Sequence, residues 1–227
     1  MSVEQYFPFW PKLTDAQRDL LQSAVSSARF EAGNILHAGS SDCAGLFIVV
    51  KGRLRAYTLS GEGKELTLYR LLERDICLFS ASCIMRSIQF DVMISAEEPT
   101  DVLRIPPDVY KTLMEQSAAV AGYTNELMAA RFSEVMWLMD QLLNRKLDSR
   151  LAAFLLEERG LSGADILPLT HERVAAHLGS AREVVTRLLR YFQSEGLVQL
   201  ERGSIALTNI DGLYRTAGDS LLSLIHI

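Results

Sequence analysis

The stretch Thr170-His171-Glu172-Arg173-Val174-Ala175-Ala176-His177-Leu178-Gly179-Ser180-Ala181-Arg182-Glu183-Val184-Val185-Thr186-Arg187-Leu188-Leu189-Arg190 decides how this chain reads. Its spacing fits two short helices joined by a tight turn. Ala175 falls where the helices touch, and a larger side chain there would push them apart. Gly179 follows four residues on, at the turn, where a backbone with φ > 0 costs glycine least. Val174, Leu178, Val185 and Leu188 are the apolar positions that join the helices. The second helix then carries Arg182, Glu183, Thr186 and Arg187 outward near its N-terminal end. Side chains of these types there suit base edges in a DNA major groove. The competing reading is an ordinary helical hairpin with a solvated Arg/Glu face.

Working outward, Glu195-Gly196 forms a turn, and Leu197–Leu200 and Ser204–Leu207 flank Glu201-Arg202-Gly203 as a small hairpin. A hairpin placed after a recognition helix brings Arg202, or the Gly203 backbone N–H, to a phosphate. Upstream, Leu151 to Glu158 predicts a helix, entered after a break at Asn144–Asp148 and left through a Gly160-Leu161-Ser162-Gly163 loop. Helix, helix, recognition helix and hairpin is the winged-helix order.

Before that break, a helical pattern runs from Asp108 to about Asn144. Polar residues recur at Glu126, Ser133 and Asp140, and most other positions from Leu127 to Leu143 are apolar. A helix apolar on two sides must be covered on two sides. One side packs on its own subunit, and the simplest cover for the other is the same helix of a second copy. The alternative is a helix buried wholly within one subunit.

The N-terminal half reads differently. Thr14 and Gln17 form a capping box, followed by a helix to about Ser27. From Arg29 to Ile105 short alternating runs are broken by glycine. Leu46–Val50, Arg53–Leu59, Glu65–Arg70 and Asp101–Ile105 read as strands, and Pro106-Pro107 ends them. Many short strands at this spacing predict a sandwich or barrel.

Composition bounds the rest. The 227 residues carry a net charge of −5, so binding to nucleic acid must depend on local contacts rather than bulk charge. Arg173, Arg182, Arg187, Arg190 and Arg202 cluster in the last third, diluted by Glu172, Glu183, Glu195 and Glu201. No run of about 18 apolar residues offers a membrane span. Met1–Tyr6 lacks the basic and apolar regions of a signal peptide, so the expected location is the cytoplasm. Three cysteines are too few for a disulfide scaffold. No phosphate-binding loop, nucleophile elbow, metal-ligand spacing or paired carboxylates point to an enzyme. His171 and His177 do not share a helix face and are no metal pair. Leu221–Ile227 is an apolar tail without a capping signal and is set aside as non-native, His226 included.

The expected class is therefore α+β: a jelly-roll-like β-roll, a long dimerisation helix and a C-terminal winged helix-turn-helix. Expected boundaries are 1–115, 116–146 and 147–220, with 221–227 as the tail. In this order, and above all in Gly179-Ser-Ala-Arg-Glu-Val-Val-Thr-Arg, the chain resembles bacterial regulators of the Crp/Fnr superfamily over about residues 10 to 215. The resemblance implies a homodimeric, effector-controlled transcription regulator that binds palindromic double-stranded DNA with a TGA half-site core and contacts RNA polymerase. It makes Arg182, Glu183 and Arg187 the base readers, matching arginine to guanine O6/N7 and a carboxylate to cytosine N4. Thr186 would touch a thymine methyl or a phosphate, and Thr170, Ser180 and Arg202 complete the DNA-binding set. The rival function is a ligand-binding sensor whose winged helix contacts protein.

For the effector, the resemblance aligns Arg74-Asp75 with the family's Gly-Glu, keeps Arg86-Ser87, and places Val135 and Met136 where a Thr-Ser pair would meet an adenine. Leaving a base edge unsatisfied there would cost about 1–3 kcal/mol per group, which argues against cyclic AMP. An iron–sulfur cluster needs four cysteines and this chain has three. Haem remains as an alternative through His37, the one histidine of the N-terminal half. Cys77 and Cys83, in a stretch expected to be exposed, are the candidates for thiol sensing, against a reading as inert buried cysteines. No metal site is expected.

Overall fold

The computed structural model describes residues 3–39, 44–84 and 91–221. By internal contacts the chain divides into two units, one of residues 1–59 and 68–134, the other of 60–67 and 135–227.

The first unit begins with two single turns of 3-10 helix and then α1, Asp15–Ala24. The capping box forms on both sides: the Gln17 N–H donates to Thr14 Oγ1 at 3.3 Å and the Thr14 N–H to Gln17 Oε1 at 3.0 Å. The helix ends at Ala24, short of the expected Ser27, because Ser26–Phe30 forms β1. There β1 pairs residue for residue with a later strand, and serine has little helix propensity to oppose that ladder. The other strands are β2 Ile35–Ala38, β3 Leu46–Lys51, β4 Leu54–Leu59, β5 Glu65–Leu71, β6 Ile76–Cys77, β7 Met93–Ala96 and β8 Thr100–Ile105. They make two four-stranded sheets, ordered β1-β8-β3-β6 and β2-β7-β4-β5, whose described pairings are antiparallel.

Strand β3 shows why the sheets stack. Phe47 and Val49 enter a core with Leu54, Ala56 and Ile94 of the second sheet. Leu46 and Ile48 enter another with Leu21, Tyr110 and Leu113 of the flanking helices. Buried on both faces, β3 carries no polar residue before the exposed Lys51 at its end, which is the continuous apolar run seen in its sequence.

The expected single helix from Asp108 is two, α2 Pro107–Gln116 and α3 Ala118–Asn144. Pro107 sits in the first turn, where its missing N–H costs nothing. Ser117 interrupts the pair with extended backbone (φ −129°, ψ 113°). Its N–H donates to the Leu113 carbonyl and its own carbonyl accepts from Ala121, so it closes one helix and opens the next.

In the second unit, α4 spans Leu147–Ser162. Gly160, expected in a loop, is helical, and Gly163 ends the helix. Then come β9 Ile166–Leu167, α5 His171–Leu178, α6 Arg182–Ser194, β10 Val198–Glu201, β11 Ser204–Leu207 and α7 Ile210–Ala217. The strands form a sheet ordered β10-β11-β9. Leu151, Leu155, Val174, Val185, Leu189 and Phe192 centre one core. Leu189 is fully buried and Leu188 only partly, one position on from the expected contact. Gly179 links α5 to α6 at φ +66°, a conformation that would strain a residue with a Cβ. Among the described residues no helix is long and apolar enough to cross a membrane.

Candidate nucleic-acid interface

Two features of sequence build the α5–α6 hairpin. Thr170 caps α5, its Oγ1 accepting from the Arg173 N–H at 3.2 Å, and the half-buried Arg150 guanidinium donates to the Leu178 carbonyl at the other end, 2.7 Å away. Ala175 is buried at the helix contact, so α5 holds α6 closely. With Val185, Leu189 and Phe192 facing the core, the 3.6-residue period turns Arg182, Glu183, Thr186, Arg187 and Arg190 the other way. These five side chains line one open concavity of about 480 Å³.

Arg182, Glu183, Arg187 and Arg190 are exposed and Thr186 is half-buried. The Arg182–Glu172 ion pair, 3.8 Å long and largely exposed on both sides, is worth little. It leaves the Arg182 guanidinium available. Ala181 starts α6 without a side-chain cap. The first amides of the helix therefore lack a side-chain acceptor, an arrangement suited to a phosphate oxygen. Ser180 lies in the turn just before, and Arg202 stands exposed at the tip of the β10–β11 hairpin, where Gly203 takes φ +83°.

Two participants escaped the sequence reading of the site. Arg190 was visible only as part of a basic cluster, although positions 182, 186 and 190 repeat at the helical spacing that puts them on one face. His171 gave no signal, because its partner is 15 residues away: its Nδ1 lies 2.9 Å from Thr186 Oγ1. His177 instead stacks near Phe154, with ring centroids 5.0 Å apart, so the two histidines do face different ways.

The effector candidates fare unevenly. Arg86 and Ser87 lie outside the described residues, as do Cys43 and the 222–227 tail, and the Cys83 side chain is likewise not described. Asp75 accepts from the Leu72 N–H at 2.8 Å and faces Arg131 of α3 at 3.6 Å. Arg131, unnoticed in the sequence, also pairs with Glu134 at 2.7 Å and lies over the Tyr69 ring, 4.7 Å from its centroid. Burial first, then the nearby Cys77, pushes the Tyr69 hydroxyl well above its ordinary range. Val135 is half-buried and Met136 exposed. Cys77, expected to be exposed, is fully buried on β6, and burial raises its thiol pKa, which opposes thiolate chemistry. The strand, paired to β3, draws it inward. His37 is buried in β2. Among the described residues no three His, Cys, Asp or Glu side chains come together as a metal site.

Comparison with known proteins agrees with this architecture. The Crp-like helix-turn-helix domain family matches residues 149–216, and the cyclic nucleotide-binding domain family matches 28–117. A solved structure from Eubacterium rectale, described as a transcriptional regulator of the Crp/Fnr family, is 53% identical, covers 94% of this chain and 99% of its own, and superposes with a TM-score of 0.92. The fumarate and nitrate reduction regulatory protein of Escherichia coli is 24% identical over 91% of this chain and 84% of its own length. FixK2 of Bradyrhizobium japonicum shares the fold at 18% identity, with a TM-score of 0.66 over 86% of this chain and 98% of its own. A β-roll, a long helix and a winged helix, the last with an exposed arginine-lined face on α6, define an α+β regulator that binds DNA. This chain belongs to the Crp/Fnr family of DNA-binding transcription regulators.

Proposed function

We propose that two copies join along α3 and place their α6 helices in successive major grooves of a palindromic site. In this reading Arg182, Glu183 and Arg187 contact base edges, and Thr186 meets a thymine methyl. Thr170, Ser180 and Arg202 contact the sugar–phosphate backbone. The observation that carries it is the segregation of α6, with its core side chains on one face and all five concavity side chains on the other. For the dimer, the support is a row of exposed apolar residues at alternating spacings of four and three: Phe132, Met136, Met139 and Leu143. That is the seam of a two-stranded coiled coil. Half-sites about 34–36 Å apart then follow from the twofold symmetry.

A signal received in the β-roll sets the spacing of the two reading heads, and RNA polymerase is the expected partner at the promoter. The apolar Val135-Met136 pair offers an adenine edge no hydrogen bond, which argues against cyclic AMP as that signal. The regulator needs no catalytic step and works in the cytoplasm.

Fluorescence anisotropy with a TGA-containing palindrome and a scrambled duplex of equal length tests the reading. Arg182→Ala and Arg187→Ala should each lower affinity for the palindrome by about 1–3 kcal/mol per contact and leave scrambled binding much less changed. Equal binding of both duplexes by the unaltered protein would overturn it.

A further inference from the structure

Two other described threonines inside helices bond back to their own backbone, although Thr124 Oγ1 also lies 2.8 Å from the Tyr110 hydroxyl of α2. Thr112 and Thr124 donate to the carbonyl four residues back, at 2.8 Å each. Thr186 turns instead to a neighbouring helix, where His171 Nδ1 stands 2.9 Å from its Oγ1. Thr186 lines the concavity together with Arg182, Glu183, Arg187 and Arg190. We propose that His171 is a positioning residue which sets the donor or acceptor character of Thr186, so that the base preferred at that position depends on proton concentration. The inference rests on the reading of α6 as the groove-facing helix.

The chemistry follows from the hydrogen-bonding inventory of the two groups. A neutral ring with a bare Nδ1 accepts the Thr186 proton. The hydroxyl then turns lone pairs and its methyl toward the groove, which suits the exocyclic amino group of adenine or cytosine or a thymine methyl. A protonated ring donates from both nitrogens. Thr186 oxygen becomes the acceptor, and its proton is released toward guanine O6 or N7, thymine O4 or a phosphate.

The charged groups facing the ring are Arg182 and Arg190 on α6, with Glu172 adjacent on α5 and itself paired to Arg182. Burial first, then Arg182 and Arg190, hold the imidazole below the ordinary histidine range in the free protein. The phosphates of a bound duplex act with the opposite sign. The pKa of His171 is thus higher in the complex than in the free protein. DNA binding takes up a proton, the gain in affinity is complete below the free-protein pKa, and it is lost as pH rises through the pKa of the complex. Each unit of difference is worth tenfold in affinity.

The experiment uses the full chain and four palindromes that differ only in the base pair beneath Thr186, titrated by anisotropy between about pH 5.5 and pH 8, the window of a histidine. The expected result is a ranking of the four sites that changes by about three- to tenfold across this range, the size of one net hydrogen bond. His171→Gln should abolish the change in ranking. Thr186→Val, which keeps the shape and lacks the hydroxyl, should flatten the ranking while the overall affinity still falls with rising pH. A ranking independent of pH, in a protein that still prefers palindrome to scrambled duplex, overturns the proposal and leaves the α6 reading standing. Persistence of the pH effect in His171→Gln overturns it as well. Loss of all preference for the palindrome sinks the α6 reading and this inference with it.

Discussion

Phe132, the first residue of the proposed α3 seam, is 68% exposed, and no described core claims it. A phenylalanine offers roughly 200 Å² of apolar surface. Two-thirds of that, at about 25 cal/mol per Å², is about 3 kcal/mol per subunit if a partner covers it. Twofold symmetry doubles every change at the seam, since one substitution removes two side chains. Alanine keeps part of the contact, so Phe132→Ala should weaken dimerisation by about 4 kcal/mol, close to a thousandfold in Kd. Sedimentation velocity over a dilution series measures this directly. The same preparation should lose palindrome binding at concentrations where it is monomeric and regain it when concentrated. Leu59, also exposed (54%) but on β4, is the control, and Leu59→Ala should leave assembly unchanged. If Phe132→Ala dimerises within about threefold of the unaltered protein, less than 1 kcal/mol, α3 is not the seam.

Two further predictions concern the β-roll. Glu97 is almost fully buried, with its Oε2 2.9 Å from the Nε of both Arg53 and Arg70. Glu97→Gln removes the charge that holds two guanidinium groups together, and urea unfolding of the first unit should show a loss of about 3–5 kcal/mol. A loss under about 1 kcal/mol, the range of an exposed pair, would show that solvent already neutralises the cluster. Arg74 is the one described residue other than glycine with positive φ, at 75°. Arg74→Gly relieves about 1–2 kcal/mol of backbone strain and gives back part of it to the unfolded chain, for a net gain near 0.5 kcal/mol by thermal denaturation. Arg74→Ala, which keeps the Cβ, should gain nothing.

Local spacing made much of this molecule legible. The Thr14–Gln17 capping box, the Ala175–Gly179 turn and the Arg-Glu start of α6 each depend on residues within one or two helical turns, and the structure brings them together as read. What was missed depends on partners distant in sequence. Ser26 and Ser27 become strand only because β8 lies beside them, some 75 residues later. Ser117 breaks a helical pattern by capping two helices at once, which no periodicity reveals. Cys77 looked exposed because two residues of strand carry too little alternation to assign a face. Arg131 looked like an ordinary polar position until Asp75, 56 residues earlier, was found opposite it.

The two faces of α6 answer to different selective demands. Val185, Leu189 and Phe192 are locked into a core, whereas Arg182, Glu183 and Arg187 contribute nothing to it. If α6 reads the operator as proposed, its preference is free to drift by exchange of three or four side chains without disturbing the scaffold that carries them. A regulator so built is easily duplicated and retargeted, and transplanting those few residues from a relative should be enough to rewrite which promoters it answers.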